Sequence, residues 1–509
     1  MGGTRFQGKS SDVHHDLRPR FKNHQKDSKS TCHPHLDPLP QSGRGCRATR
    51  DGWRLRGFAM PINPADSAIY GTLYGSDAMR AVFDDHAGLH RMLDVEAALA
   101  RVEARLGLIP ADAAAAITNA AARVTLDDAA LAASVRTVGY PVVGLVAALS
   151  REAGDAGRWT HWGATTQDIL DTALALQLRE ALDLLRAEIA AIMAGLANLA
   201  DRHRRTVMPG RTHLQHALPI TFGLKCAVWL MPLVAHLQRL DELRPRVERV
   251  QFGGAAGTLA SLGADGIAVM EGLAAELGLR APPAPWHVTR DGVAEAVSFC
   301  GLLCGSLAKI ATDVVLLAQT EVGEAAEPHA EGRGGSSTMP QKRNPIASEY
   351  IIAAGRAVQA LVPLMQSAMA GDHERATGPW QTEALALPQA FVLTHGAAVA
   401  ARALAEGLVV DAARMRRNLD STNGLIVAEA VMMGLAPHLG RGEAHHVVRH
   451  ASDVALAEGI PLAAALLRED AVTARLDAAA IAQLTDPTNY LGSAETFIDR
   501  VLAAAQAVA

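Results

Sequence analysis

The chain is poor in aromatic residues: Phe, Trp and Tyr together make up 4% of its 509 positions. Sandwiches and barrels fill their pleated faces with aromatic and β-branched side chains, so this composition disfavours a sheet architecture. Cysteine is scarce as well. Five residues (Cys32, Cys46, Cys226, Cys300, Cys304), odd in number and scattered, exclude a disulfide framework and point to a reducing, cytoplasmic setting. Cys300 and Cys304 stand one helical turn apart in an apolar run, without a second Cys or His pair at zinc spacing, and read as small buried hydrophobes. No stretch has the make-up of a secretory leader. The most apolar segment, Ala296 to Ala318, carries Lys309 and Asp313 four residues apart. A bilayer would not hold both charges at its centre, so a helix buried in protein is expected, with no membrane partner.

What is present is alanine-rich apolar sequence, 49% hydrophobic against 20% charged. This is the composition of a soluble all-α protein assembled from Ala/Leu-rich helices, and its length predicts about three domains. The net charge of −5 is unevenly spread: residues 1–59 hold 12 Lys/Arg against 5 Asp/Glu, leaving 36 against 48 for the rest. An acidic body is a poor nucleic-acid binder. Residues 1–59 have no apolar period and are expected to be a disordered basic extension, with Met60 the native start. Cys32-His33-Pro34-His35 within it lacks further ligands at metal spacing. The expected division is 60–163, an N-terminal helical domain; 164–400, a central bundle of long helices; and 401–509, a C-terminal helical domain.

Met92, Leu93, Val95, Leu99, Val102 and Leu106 recur at three- and four-residue steps, ending at Gly107 and Pro110. Shorter helices are expected near 111–122, 127–136 and 141–153. Thr165 and Asp168 have the spacing of a capping box, and an apolar period runs from Ile169 to about Arg204. Two more helices of 30 residues or more are expected at about 219–250 and 291–324, and another from Ile346 to Met369. Helices this long must bury several faces, as in a bundle shared between subunits.

Three polar segments interrupt this pattern. The loop from Glu331 to Pro345 has Gly332, Gly334 and Gly335 for freedom, Ser336 and Ser337 as hydroxyls, and Lys342 and Asn344 as donors suited to a carboxylate. On local composition it could equally be a flexible linker. The others are Thr160–Asp168, containing His161, and Gly210–Ala217, containing His213 and His216. His213 and His216 lack a third metal ligand nearby. A nucleophile elbow, a P-loop and a convincing dinucleotide fingerprint are absent, and Gly253–Gly257 follows a helical stretch rather than a strand. Neither metal nor cofactor is expected.

Together the three segments resemble the conserved regions of the fumarase/aspartase superfamily, whose signature Gly-Ser-Ser-x-Met-Pro-x-Lys-x-Asn-Pro is matched without a gap by Gly335 to Pro345. The resemblance spans about residues 66–509. Leu93–Leu99, Phe252–Thr258, Gly378-Pro-Trp380, Leu435–Gly440 and Tyr490-Leu-Gly492 look most like the 3-carboxy-cis,cis-muconate cycloisomerase branch, with adenylosuccinate lyase the nearest alternative. It implies a three-domain all-α fold and a homotetramer whose active sites draw the three segments from three chains. It also implies a small di- or tricarboxylate substrate. By the same resemblance Ser336 would be the general base, acting as an alkoxide. Lys342 and Asn344 would hold one carboxylate; Thr165, Thr166 and Gln167 a second; and Arg375 would add charge. His213 would serve as the acid or part of its relay, and His161 matches a second histidine of the adenylosuccinate branch. Thr212, Gln215, Ser337 and Met339 complete the substrate-binding set.

The chemistry implied is removal or return of a proton α to a carboxylate, through a dianionic aci-carboxylate that preorganised donors must stabilise. Many cycloisomerases of this type have Trp where this chain has His213, a departure that keeps amine-expelling lyases in view. A catalytically inactive structural homologue is the reading of another class, and the joint retention of Ser336, Lys342, Asn344 and His213 argues against it.

Overall fold

A computed structural model describes residues 63–328, 334–335, 338–339 and 341–508. The expected extension 1–59 and the loop hydroxyls Ser336 and Ser337 lie outside the described residues.

The fold is all-α. Helix α1 (Asp85–Arg105) opens with Asp84 accepting the Ala87 N–H and turns Leu93, Leu99 and Val102 inward. Helix α2 (Thr166–Arg202) runs 37 residues, about 55 Å at 1.5 Å per residue. The expected capping box starts it: the backbone N–H of Thr165 donates to Asp168 Oδ2 at 3.0 Å. Leu182, Leu185, Ile189, Ile192, Leu196 and Leu199 then recur at helical steps, all buried. Truncating one of these, such as Leu185→Ala, would cost roughly 2–5 kcal/mol.

Where α2 ends, the chain forms an antiparallel hairpin, β1 (Val207–Thr212) and β2 (Gln215–Thr221), before α3 (Phe222–Val247). Helices α4 (Asp291–Leu317), α5 (Ile346–Ser367) and α6 (Pro379–Gly407) complete the bundle with α2 and α3 around one large core. The expected helices at 219–250 and 291–324 are thus shorter, 26 and 27 residues. The hairpin takes up the start of the first. The second stops at Leu317, beyond which Ala325–Ala326 pair with Val409–Val410. Helix α6 was not expected, because Pro388 and the buried Thr394 and His395 interrupt its apolar period.

Separate cores underlie the flanking regions. One joins α1 to the first turns of α2 and to the helix Gly266–Leu277. Another holds Ala428–Leu439 against Arg441–Glu458. Helices α4 and α6 are long and apolar enough to cross a membrane by length and composition. Each instead contributes about half its residues to the bundle core, and in α4 Asp313 accepts the Trp229 indole N–H at 2.7 Å and pairs with Lys309.

Candidate active site

The site residues fall at the two ends of the bundle. At the start of α2, Asp168 is fully buried and collects donors from distant chain segments. Besides Thr165, the backbone N–H groups of Gly253 and Gly254 donate to it at 2.9 Å each, Gln251 Nε2 at 3.2 Å, and the His287 ring nitrogen lies 2.7 Å away. This ties Phe252–Thr258 against the helix N-terminus, where backbone amides and the helix dipole favour an anion. Arg375 arrives from the loop between α5 and α6. Its Nη2 donates to Thr165 Oγ1 at 2.7 Å and to the carbonyl of Ala255 at 3.2 Å.

His161 sits beside them. Its Nδ1 lies 2.6 Å from Oε1 of Glu96, a fully buried carboxylate on α1. Burial alone would depress the imidazole pKa. The bond to Glu96 and the negative charges of Glu96 and Asp168 outweigh it and hold the pKa above its ordinary value. One heptad along α1, burial first and Glu96 second push the Glu103 carboxyl up to about 9.

Gln167, expected to bind substrate, follows Thr166 in the first turn of α2. It is buried, its Nε2 donates to Asp171 at 3.0 Å and to the His287 carbonyl at 2.8 Å, and its Oε1 has no partner among the described residues. A turn further on, Arg290 bridges Asp171 and Glu383 with bonds of 2.5–3.0 Å, its guanidinium stacked 4.8 Å from the Trp286 ring. Burial dominates at Glu383 and raises its pKa despite Arg290. This cluster borders a cavity of about 890 Å³ that Tyr140 and Trp380 also line, and none of His161, Thr165 or Arg375 lines it.

At the other end, His213 and Leu214 form the two-residue turn of the β1–β2 hairpin at φ 51° and 62°. Positive φ at both positions matches the twist of paired strands but is strained for residues with a Cβ. Thr212, His213, Leu214 and Gln215 are all exposed. The foot of the hairpin is anchored: Arg211 donates two bonds, 2.8 and 2.6 Å, to the buried Glu324. Glu324 leads into the signature loop, whose base is tied twice. Glu327 accepts the N–H groups of Ala347 and Ser348 at the start of α5, and the Asn344 N–H donates to the Gly334 carbonyl at 2.9 Å. Gly334 has φ 70°, and a Cβ there would lie 2.7 Å from the Asn344 carbonyl oxygen, so glycine is required. Lys342 and Met339 are exposed and Asn344 is half-buried.

One chain therefore brings together Thr165, His161, Arg375 and the Gly253–Gly254 turn. It leaves His213, Lys342 and Asn344 at the far end, with the full length of α2 between Thr165 and the hairpin foot. Sequence reasoning passed over Glu96, Asp168 as a hub, and the Arg290 cluster. The available signal was Glu96 and Glu103 lying seven residues apart among the buried apolar positions of α1.

Residues 73–360 match the family described as Lyase, and residues 424–501 match the adenylosuccinate lyase C-terminus. The chain is 47% identical to 3-carboxy-cis,cis-muconate cycloisomerase of Bradyrhizobium diazoefficiens, over 87% of this chain and 99% of that protein. It is 42% identical to trans-aconitate decarboxylase 1 of Mycosarcoma maydis, over 91% and 94%. The crystal structure of the 3-carboxy-cis,cis-muconate lactonizing enzyme from Pseudomonas putida superposes with TM-score 0.83 at 45% identity, covering 87% of this chain and all of that one. The helical bundle and these matches identify the chain as an enzyme of the fumarase/aspartase superfamily of lyases and cycloisomerases.

Proposed function

We propose that the enzyme closes a lactone in a tricarboxylate of the 3-carboxy-cis,cis-muconate type. The observation that carries this reading is Arg375 bonded to Thr165 at the start of α2, beside His161. A guanidinium, a helix N-terminus and an imidazole drawn toward its charged form make a cradle for a carboxylate whose charge grows during reaction.

In lactonisation a carboxylate oxygen bonds to the β carbon of a double bond in the same molecule. The alkene π pair moves to the α carbon and into its carboxylate, giving the aci-carboxylate, and one proton is then taken up at the α carbon. Ser336 is assigned the proton transfer, as base in the ring-opening direction and as acid in closure. Lys342 and Asn344, with Ser337, Met339, Thr212 and Gln215 around them, would hold the carboxylates at the hairpin and loop end. Thr165, Thr166 and Arg375 would hold the other. Gln167 would support the helix turn rather than touch substrate, since its donor is committed to Asp171.

The superfamily is oligomeric in general. We assign a homotetramer in which the Thr165 end of one chain meets the His213 turn and signature loop of others, because about 55 Å of helix keeps them apart within one chain. The three-part division at 163/164 and 400/401 and a cytoplasmic location belong to the same proposal.

Offering 3-carboxy-cis,cis-muconate and adenylosuccinate separately, and following the ultraviolet absorbance of each, tests it. Turnover of the muconate alone supports lactonisation; turnover of adenylosuccinate alone overturns it. An aminodicarboxylate lyase is the second reading, favoured by His213. An amine is a poorer leaving group than a carboxylate and gains more from a positioned acid.

A further inference from the structure

We propose that Glu96 is a positioning residue for His161: it accepts the Nδ1–H, fixes that tautomer, and turns Nε2–H out as a charged donor to the substrate carboxylate held by Thr165 and Arg375. This rests on the reading of that end as a carboxylate cradle and adds to it the group that sets the histidine's protonation.

Three observations carry the proposal. First, the contact is short and dry. Nδ1 and Oε1 are 2.6 Å apart, and the Glu96 side chain has no solvent exposure while the His161 side chain keeps 19%. An ionised carboxylate can only accept, so the proton of that bond belongs to Nδ1, and the other ring nitrogen is the one left to meet a ligand. Second, the backbone is built for this pose. His161 has φ 63°, a left-handed conformation that a residue with a Cβ holds only when its surroundings impose it. Two residues on, Gly163 has φ 70° and packs so closely that a Cβ would lie 2.7 Å from Leu262. Third, two negative charges act on the ring, Glu96 from α1 and Asp168 from α2, and both favour its charged form, while the Arg375 guanidinium is held on Thr165 and the Ala255 carbonyl. The neighbouring Glu103 is fully buried, neither of its oxygens has a partner among the described residues, and it holds its proton to about pH 9.

A buried acceptor on one ring nitrogen and an open position on the other is how proteins orient an imidazole toward a ligand. The Glu96 side chain is fully buried against the ring, so in this proposal it acts through His161.

The test uses the full-length enzyme and two readouts. Carbethoxylation of His161, followed by peptide mass spectrometry from pH 5 to 8.5, reports the imidazole's titration without any substrate. Glu96→Gln should lower the apparent pKa and so make His161 severalfold more reactive at the acid end, while Glu96→Asp should restore most of the parental profile. A Glu96→Gln profile that overlays the parent overturns the proposal. In parallel, kcat/KM for the muconate should fall about tenfold or more in Glu96→Gln and no further when Glu96→Gln is added to His161→Gln. Equal losses in both backgrounds overturn the proposal by showing that Glu96 acts on something else. If His161→Gln keeps parental turnover, the cradle's use of His161 fails on its own account, and the titration still decides whether Glu96 governs the ring. Should Glu96→Gln not assemble, Glu96→Asp carries both measurements: a parental pKa supports the charge requirement, and a fallen one overturns it.

Discussion

At the Thr165 end of the bundle, side chains from five separated stretches of chain meet in a buried network, with Asp168 bonded to residues 83 to 119 positions away. At the His213 end the candidate groups ride on exposed turns whose feet are held by Glu324 and Glu327. The first end is a finished half-site. The second is presented outward, and in the proposed homotetramer another chain faces it. A carbon acid is deprotonated only where cationic donors already stand and water can be excluded. On the proposed reading, that division puts the standing donors in the buried half and leaves enclosure to assembly.

The sharpest way to break this comparison is to damage each end in a different chain. Arg375→Leu at the finished half should lower kcat/KM by roughly 10²–10³-fold, the cost of removing one preorganised donor. Ser336→Ala on the loop should lower it by roughly a hundredfold or more, as loss of a general base does. Both variants should keep the parental circular dichroism and sedimentation. Unfolded together and refolded as a mixture, they should recover about a quarter of parental activity, the chance that a shared site takes its two halves from undamaged regions. No recovery would mean that each chain completes its own site.

Asp168 distinguishes the ends next, through stability. Asp168→Ala strands the donors of Thr165, Gln251, Gly253, Gly254 and His287 in a buried setting. The expected loss is roughly 3–5 kcal/mol, read as a lower urea midpoint. At the other end, Lys342→Ala removes an exposed group and should leave the midpoint within about 0.5 kcal/mol of the parent.

Much of the finished half is invisible to a sequence reading, for a physical reason. The capping box of Thr165 and Asp168 is local, four residues long, and was legible; so were the bounds of α2 and the signature from Gly335 to Pro345. The partners of Asp168 and the Glu96–His161 contact are long-range, and no spacing rule encodes them. The hairpin was missed because its turn carries His213-Leu214 in place of the Asn-Gly or Asp-Gly that advertises such turns. Its strands also hold Pro209 and Pro219, which argue against a sheet. The exposed half was thus read from its motif, and the buried half from its ends only.

Glu103 offers a pH lever confined to the buried side. In the folded chain its carboxyl keeps its proton up to about pH 9, while the unfolded chain releases it near 4.5. Folding therefore binds a proton across that window, and stability drains away as pH rises through it. Glu103→Gln removes the titration. The variant should gain stability relative to the parent as pH goes from 6 to 9, by on the order of a few kcal/mol, measured as the difference in urea midpoints. A gain that does not grow with pH would show that Glu103 ionises normally in the folded state.

The smallest effect belongs to the exposed turn. His213→Trp places a larger side chain at φ 51°, where the backbone already carries strain, on a turn exposed in the single chain. Stability should change by less than about 1 kcal/mol. Activity then separates the two chemistries. In lactonisation the internal nucleophile, which is the leaving group of the reverse step, is a carboxylate and needs no acid. The muconate reaction should therefore keep its rate within about tenfold. If the natural reaction expels an amine, that departure needs a proton that the imidazole of His213 can give and an indole cannot, and turnover collapses. A variant that folds, assembles and loses all muconate turnover would make the outward-facing histidine, rather than the buried cradle, the seat of the reaction's proton chemistry.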